Sequence, residues 1–205
     1  RIGCNMRFGA LKPEDYELMK KAGFRFILYG LESANQKTLS MLNKGITERD
    51  QIETCKTASD AGLDPHLTIM FGYPWETKEE AMRTVELAKY MIRKGWAKTW
   101  QVTIVIPYPG TRLFEMAKKN GWLKTDDWDR YDMREPVMRT PMSEEEVLEI
   151  VQGVYKVAFN LEFILRKLAT IRSLDDIGFA ARGIRNILGH IQDFAPSQTR
   201  DLART

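Results

Sequence analysis

The sequence predicts an α/β fold in which parallel strands alternate with helices. One unit occurs three times: a helix that ends at a glycine, followed by a strand whose far end carries glycine or proline. The three helix-ending glycines are Gly23, Gly62 and Gly95. Repeated units of this length connect parallel strands through crossover helices. Polar residues and glycines collect after the strands, at the rim where barrel-type α/β proteins hold their chemistry.

Four strand-like segments are predicted. The segment 24–31 is a continuous run of aromatic and branched residues, which is typical of a strand buried on both faces. Strands are predicted over residues 1–8, 24–31, 65–71 and 99–106.

Capping signals predict the helices between these strands. Pro13 suits the first turn of a helix that ends at Gly23. Thr47 and Thr77 each precede an acidic residue by three positions, which is the spacing of a capping box. The inner stripes of the two later helices are predicted from helical spacing. They comprise Ile52, Cys55 and Ser59 or Ala58 in the first, and Met82, Val85, Ala88 and Ile92 in the second.

The pattern changes after Pro109. A short helix is predicted over 112–120, and an irregular loop of about twenty residues follows it, long enough to have a function of its own. Ser143 then opens another capping box. The apolar stripe behind it comprises Val147, Ile150, Val151, Val154, Ala158 and Leu161. A second helix is predicted over 174–191, with a frayed polar terminus after Pro196.

Composition excludes several classes of protein. Hydrophobic residues make up 43% of the 205, which argues against overall disorder. The 31 basic and 28 acidic residues nearly balance, so nucleic acid is not an expected partner. No apolar run approaches the roughly 20 residues of a membrane helix. Cys4 and Cys55 form no CxxC pair and are expected to be free thiols in a reducing cytoplasm.

Taken alone, each polar residue near a strand end has an ordinary structural interpretation. Glu32 would be a solvated carboxylate, Lys44 and Arg49 solvated charges, and Tyr108 a packing aromatic. His66 lies within a strand and is interpreted as a hydrogen-bonded core histidine. With His190 as the only other histidine, a His-rich metal site is not expected.

Taken together, four segments at strand ends and helix starts form a more specific series. They are Tyr-Gly-Leu-Glu-Ser at 29–33, Asn-Lys-Gly-Ile-Thr at 43–47, Phe-Gly-Tyr-Pro-Trp-Glu-Thr at 71–77 and Pro-Tyr-Pro-Gly-Thr at 107–111. This series resembles the radical S-adenosylmethionine (SAM) superfamily. Within the superfamily, the series is most similar to the cobalamin-binding members of the anaerobic magnesium-protoporphyrin IX monomethyl ester cyclase type. Residues 155–168 also resemble the helical tail of those members.

The resemblance implies a partial TIM-type (β/α) barrel, roughly its third to sixth strands, followed by an α-helical tail. Residues 1–123 would be the C-terminal half of the barrel and 124–142 a wrapping loop. Residues 143–195 would be the helical tail and 196–205 a frayed terminus.

The resemblance also implies cofactors. In this superfamily a 4Fe-4S cluster on a C-x3-C-x2-C loop reduces SAM and starts radical chemistry, and cobalamin is a candidate further cofactor. The sequence contains neither that loop, nor the glycine-rich SAM segment, nor a cobalamin module. We therefore expect the C-terminal part of a larger cytoplasmic enzyme. By itself it should be inactive, with no catalytic residue and no metal ligand of its own, and its partner would be the N-terminal half of the same protein.

The expected contribution of this chain is half of the SAM cradle. By resemblance, Glu32 and Ser33 meet the ribose or the methionine end of SAM. Two further strand ends match those that pack the adenine: Met70, Phe71 and Gly72, and Ile106, Pro107 and Tyr108. Ala34 and Trp75 depart from the glycines usual in the family. Trp75 either narrows the mouth of the site over an apolar substrate or packs on the neighbouring loop.

The substrate and the reaction stay open among several alternatives. Cyclisation or methylation of an organic small molecule, with a tetrapyrrole as one candidate, is the first. A methylthiotransferase-like or tRNA-modifying member is the second. A barrel lyase or aldolase would need a strand-end lysine or paired histidines. A non-catalytic scaffold would expose an apolar face over 147–168. The free edge of the 1–8 strand predicts a homodimer.

Overall fold

The computed structural model describes residues 2–156 and residue 178, and its sheet confirms the predicted α/β fold. Four parallel strands pair in chain order, each with its sequence neighbour. They are β1 (Ile2–Met6), β2 (Phe24–Glu32), β3 (Asp64–Phe71) and β4 (Thr99–Ile104).

Six α-helices and one 3-10 turn connect and follow these strands in the described part of the chain. They are α1 (Pro13–Lys21), α2 (Gln36–Met41), α3 (Glu48–Asp60), α4 (Lys78–Arg93), α5 (Arg112–Lys119), the 3-10 turn (Trp128–Arg130) and α6 (Glu144–Lys156). The capping boxes predicted at Thr47 and Thr77 are present: the hydroxyls of both residues accept from the backbone N–H three residues on. The one predicted at Ser143 stays a prediction. Helix α2 was not predicted, because its six residues have no continuous apolar stripe.

One face of the sheet is buried along its central strands. Helices α1, α3 and α4 contact the sheet, and strand side chains alternate between its two faces. The side chains on the buried face are Ile27, Tyr29, Leu31, Leu67, Ile69, Phe71, Val102 and Ile104.

The opposite face, which we call the open face, is only partly buried. The prediction that the 24–31 strand is buried on both faces is therefore wrong, because four strands do not close the barrel whose interior side chains would cover one another. Paired residues share a face, so the register gives the open face its rows. These rows are Asn5–Leu28–His66–Thr99, then Gly30–Thr68–Gln101, then Met70–Thr103. A barrel interior is usually filled by bulky branched residues, whereas the open face combines the apolar Phe26, Leu28 and Met70 with a glycine and neutral polar groups.

Two helix stripes differ in part from prediction. On α4 the buried residues include Ala81, Thr84, Val85, Ala88 and Met91, whereas Met82 is 38% exposed. The prediction for Met82 is wrong because the buried stripe follows i, i+3, i+4 spacing from Ala81.

On α3 the buried face includes Cys55 and Ala58, as predicted, whereas Ile52 is only half-buried. The same face buries Gln51 completely. That polar residue tolerates burial because its Nε2 donates to the carbonyl oxygens of Leu31 and Ser33.

The segment predicted as an irregular loop is tied down by backbone pairing. Leu123 and Met138 form an antiparallel bridge, flanked by a hydrogen bond from Arg139 N to Trp122 O at 2.7 Å. Met138 packs in an apolar cluster with Tyr73 and other buried residues. The segment is therefore anchored beside the ends of the strands.

The chain divides into two compact units, 1–143 and 144–205. The predicted domain bounds stay a prediction. Within the second unit, the stripe residues of α6 are buried: Val147, Ile150, Val151 and Val154. The exposed apolar face that a scaffold would need is therefore not seen on α6. Ala158, Leu161, the helix predicted over 174–191 and the terminus after 196 lie outside the described residues. None of the helices in the described part is both long and apolar enough to cross a membrane.

Candidate functional site

The end of β2 is distorted by a bulge. The register with β3 shifts between Gly30, which aligns with Thr68, and Glu32, which aligns with Ile69. Glu32 adopts a left-handed backbone conformation with φ 57°. Such a conformation in a non-glycine residue costs on the order of 1–3 kcal/mol and is concentrated at functional sites. Bulges next to active sites re-aim a side chain, and here the re-aimed side chain is a carboxylate.

The Glu32 carboxylate is buried and half satisfied. Glu32 is 8% exposed, and its Oε1 accepts a hydrogen bond from Lys44 Nζ at 2.8 Å. Its Oε2 is buried and has no hydrogen-bond partner among the described residues. The interpretation of Glu32 and Lys44 as solvated charges is therefore wrong. Asn35 Oδ1, Gln51 Oε1 and Glu76 Oε2 are also buried without a partner in the described part of the chain, but of these four residues only Glu32 lines the cavity that opens beside its carboxylate. Because buried polar atoms are almost always paired, Glu32 Oε2 is the position at which a molecule bound there would donate a hydrogen bond.

A cavity of about 330 Å³ opens beside this carboxylate. Its volume lies at the lower end of the range of small-molecule sites. The lining comes from the ends of β1, β2 and β3 and from the loop after α2. It comprises Asn5, Met6, Arg7, Phe8, Leu28, Gly30, Glu32, Lys44, Ile46 and Thr68.

The loop that carries Lys44 is fixed by its backbone conformation and by a hydrogen bond from Arg7. Its neighbours Asn43 and Gly45 both have left-handed backbone conformations, with φ 53° and 64°. Arg7 Nη2 donates to the Lys44 carbonyl oxygen at 2.6 Å, which ties the loop to the chain just after β1. The Lys44 ammonium is thereby kept on the cavity wall.

Ser33 belongs to a separate buried network behind the cavity. It is fully buried, as is Glu76, which lies just before α4. Three side-chain donors reach Oε1 of Glu76: Ser33 Oγ, Asn35 Nδ2 and Thr38 Oγ1. The Ser33 hydroxyl is thus hydrogen-bonded within the protein. The contact between Ser33 and a ligand stays a prediction.

The residues predicted at the end of β3 differ in accessibility. Met70 lies half-buried on the open face, whereas Phe71 and Gly72 are buried. Trp75 stacks on Tyr73 at a centroid distance of 5.4 Å and contacts Trp122 at 5.8 Å. Its Nε1 donates to Thr38 Oγ1 at 3.0 Å. Of the two interpretations of Trp75, packing on the neighbouring loops is the one the structure shows.

The predicted site residues that follow β4 lie beside the end of β3. The strand ends at Ile104, two residues before the predicted end, although Val105 N still donates to Phe71 O at 2.9 Å. Ile106 and Pro107 are buried and Tyr108 is 43% exposed. The structure therefore brings the chain after β4 against the end of β3, while only Glu32 of the eight predicted residues lines the cavity.

The cavity residues Gly30, Asn5 and Thr68 were not predicted as site residues, although Gly30 lies in the 29–33 segment. A glycine inside a strand is a usable signal, since such glycines often mark a bulge or a close approach of another group. Asn5 and Thr68 could not be recognised from the sequence, because the register of the strands decides which residues come together at the cavity.

His66 is a structural histidine, as predicted. It lies on the open face, and its Nδ1 and the Thr99 hydroxyl are 2.7 Å apart. Burial lowers the pKa of His66 from 6.5 to about 4, so the ring is neutral at pH 7.

The cysteines do not fit an iron–sulfur cluster. The sequence has two, and such clusters are held by thiolates, three of them in the loop expected from the resemblance. Burial raises the pKa of the Cys55 thiol to about 12 and also raises that of Cys4. In residues 2–156 and 178, no group of three or more His, Cys, Asp or Glu side chains is placed to hold a metal ion.

Comparison with sequence families and curated proteins connects this site to known chemistry. Residues 2–88 match the family model described as Radical SAM superfamily. The chain is 35% identical over 188 residues to an uncharacterized methyltransferase of Pyrococcus horikoshii, covering 90% of the chain and 39% of that protein. It is 29% identical over 171 residues to bacteriochlorophyllide d C-8(2)-methyltransferase of Chlorobaculum tepidum, covering 78% and 36%. The chain thus spans less than two fifths of either relative.

Solved structures share the fold at low sequence identity. Coproporphyrinogen III oxidase from Escherichia coli, described as a radical SAM enzyme, matches with a TM-score of 0.55 and 14% identity, covering 78% of this chain and 32% of that one. The cobalamin-dependent SAM radical enzyme OxsB matches with a TM-score of 0.51 and 10% identity, covering 90% and 33%. These likenesses support the partial-barrel interpretation of the sheet.

Proposed function

Residues 2–88 belong to the radical SAM superfamily, and on that premise we propose that this chain supplies one side of the SAM site of a longer methyl-transferring enzyme. The observation that carries the proposal is the bulged end of β2. It places a buried carboxylate with a free oxygen atom, Glu32 Oε2, on the wall of a cavity of small-molecule size.

The proposed roles of the chain's own residues follow from their chemistry. Glu32 Oε2 accepts a hydrogen bond from a ribose hydroxyl or from the methionine end of SAM. Lys44 orients that carboxylate through its 2.8 Å hydrogen bond. The adenine packs against apolar side chains and backbone at the ends of β3 and β4. These residues are Met70, Phe71, Gly72, Ile106, Pro107 and Tyr108.

The iron–sulfur cluster belongs to the proposed enzyme but not to the residues of this chain. Cys4 and Cys55 do not fit it, so no step through the cluster is assigned here. Because the chain spans only 39% and 36% of its relatives, we propose that the cluster loop is supplied by another part of a longer protein. The chain alone is then expected to leave SAM intact.

The reaction and the substrate are proposed from the names of relatives. Both are called methyltransferases, which favours methylation over cyclisation. One is named for a bacteriochlorophyllide, so an organic substrate of the tetrapyrrole class is the first to test. Cobalamin is proposed as a further cofactor because the structural neighbour OxsB is described as cobalamin-dependent.

Binding of SAM to the full-length protein tests the proposal. The Glu32→Gln variant removes the charge and keeps the shape. A hydrogen bond to a charged group contributes about 1.5–3 kcal/mol, so we expect about 10- to 100-fold weaker SAM binding in anaerobic equilibrium dialysis. Glu86→Gln, which removes an exposed charge on α4, is the matched control and should bind like wild type. Equal SAM affinity of Glu32→Gln and wild type would refute the assignment.

A further inference from the structure

Above the open face, the Glu32 carboxylate occupies the space that a side chain at position 30 would need. A Cβ atom built on Gly30 would lie 2.5 Å from Glu32 Oε1 and 3.4 Å from its Cδ. It would also lie 3.5 Å from Lys44 Nζ. The first distance is shorter than any van der Waals contact, so even the smallest side chain at position 30 would overlap the carboxylate.

The reason for a glycine here is space and not backbone freedom. Gly30 is absent from the glycines with positive φ, whereas Gly23 and Gly62 at helix ends have φ 89° and 80°. It lies inside β2 and aligns with Thr68 of β3. A glycine inside a strand weakens the strand and marks the close approach of another group, and at Gly30 the approaching group is the Glu32 carboxylate.

We propose that Gly30 is a positioning residue of the ligand site. Its missing side chain lets Glu32 fold back over the open face, where Oε1 meets Lys44 and Oε2 is left for a bound molecule. The identity of that molecule as SAM rests on the function proposed above. The positioning itself rests only on the arrangement of Gly30, Glu32 and Lys44.

The overlap determines what a substitution at Gly30 would change. The atom nearest the added Cβ is the far end of a flexible side chain and not backbone. The carboxylate can therefore swing away without distorting the sheet. Gly30→Ala should displace Glu32 and separate it from Lys44, while the protein remains folded.

The reactivity of Lys44 tests the positioning without any ligand. In the full-length protein, we expect acetic anhydride to acylate Lys44 at least threefold faster in Gly30→Ala than in wild type, measured by peptide mass spectrometry against Lys56 as internal reference. Gly3→Ala is the matched control. Gly3 lies on the same face of the neighbouring strand, and an added Cβ would make only an ordinary 3.5 Å contact with Phe26. An unchanged Lys44 rate in Gly30→Ala would overturn the inference.

SAM affinity then separates this inference from the proposed function. We expect Gly30→Ala to weaken SAM binding at least tenfold. The double variant Gly30→Ala/Glu32→Asp should recover at least threefold, because the aspartate is one methylene shorter and clears the added Cβ. A double variant that binds no better than Gly30→Ala would overturn the inference. Faster Lys44 acylation with unchanged SAM affinity would support the positioning by Gly30 and refute the SAM assignment.

A folding failure of Gly30→Ala would also be informative. The double variant Gly30→Ala/Glu32→Gly removes the overlapping carboxylate and is expected to fold. If that variant were unfolded as well, another neighbour would require the glycine, and the inference would be wrong.

Discussion

Ser33 and Glu76 are joined by a hydrogen bond between fully buried side chains that connects the end of β2 to the loop before α4. The same Glu76 oxygen also accepts from Asn35 and Thr38. The network lies directly behind the bulge that aims Glu32 into the cavity. A buried network of hydrogen bonds thus supports the backbone beside the candidate site.

Removal of the Glu76 carboxylate should destabilise the protein strongly. Glu76→Ala removes the acceptor that Ser33, Asn35 and Thr38 share, and each group left unsatisfied costs about 1–3 kcal/mol. Asn35 Nδ2 keeps Glu80 O as an acceptor at 2.8 Å and Ser33 Oγ keeps the Thr84 hydroxyl at 3.4 Å, so the loss is smaller than the sum for three donors. Allowing for relaxation, we expect a loss of roughly 2–4 kcal/mol in the free energy of unfolding, measured by urea denaturation. Glu76→Gln keeps an acceptor oxygen and should lose clearly less. Equal losses for the two variants would show that the hydrogen bonds do not carry the effect.

The left-handed backbone at Glu32 gives a second prediction. Both Glu32→Gly and Glu32→Ala remove the carboxylate, but only glycine adopts φ 57° without strain. We therefore expect Glu32→Gly to be more stable than Glu32→Ala by about 1 kcal/mol.

A helical position supplies the control for that pair. At the exposed Glu115 of α5, glycine should be about 1 kcal/mol less stable than alanine. The order of the two variants at position 32 is thus expected to be the reverse of their order at 115. The same order at both positions would contradict the assigned backbone strain.

His66 should make the protein less stable in mild acid. Burial lowers its pKa in the folded state to about 4, from 6.5 when unfolded. Between these values the unfolded state binds more protons, so stability is fully present above pH 6.5 and is lost as the pH falls towards 4. The effect amounts to at most about 3 kcal/mol.

A variant separates this effect from that of other groups. Between pH 7 and pH 4.5, the free energy of unfolding of wild type should fall further than that of His66→Gln. Carboxylates titrate in both proteins and cancel in the difference. Parallel pH profiles would mean that the ring is not buried as a neutral group.

Trp75 should affect stability and not ligand binding. It stacks on Tyr73 and donates to Thr38. Trp75→Phe keeps an aromatic ring but loses the hydrogen bond and part of the indole's packing, so a loss of at least about 1 kcal/mol is expected, with SAM affinity in the full-length protein unchanged. A changed affinity at unchanged stability would instead favour the alternative in which Trp75 faces the ligand.

Local signals in the sequence predicted much of the fold. Gly23, Gly62 and Gly95 end helices in left-handed conformations, and the caps at Thr47 and Thr77 form as expected. These features depend on a few adjacent residues and can therefore be recognised without tertiary information.

The candidate site was predicted only in part. Glu32 was identified, but its partner Lys44 is twelve residues away, and their contact depends on the local geometry at the end of β2. The burial of Gln51 depends on two carbonyl acceptors that the bulge presents to α3. Such contacts arise from register and packing, which local sequence patterns do not encode. The expected cytoplasmic location and the homodimer through β1 stay predictions.

The most direct test of the central claim is a crystal structure of the full-length protein with SAM bound. We expect SAM to extend from the cavity beside β1, β2 and β3 to the ends of β3 and β4, with a ribose hydroxyl or the methionine end donating a hydrogen bond to Glu32 Oε2. SAM bound elsewhere, with that oxygen atom left without a ligand contact, would contradict it.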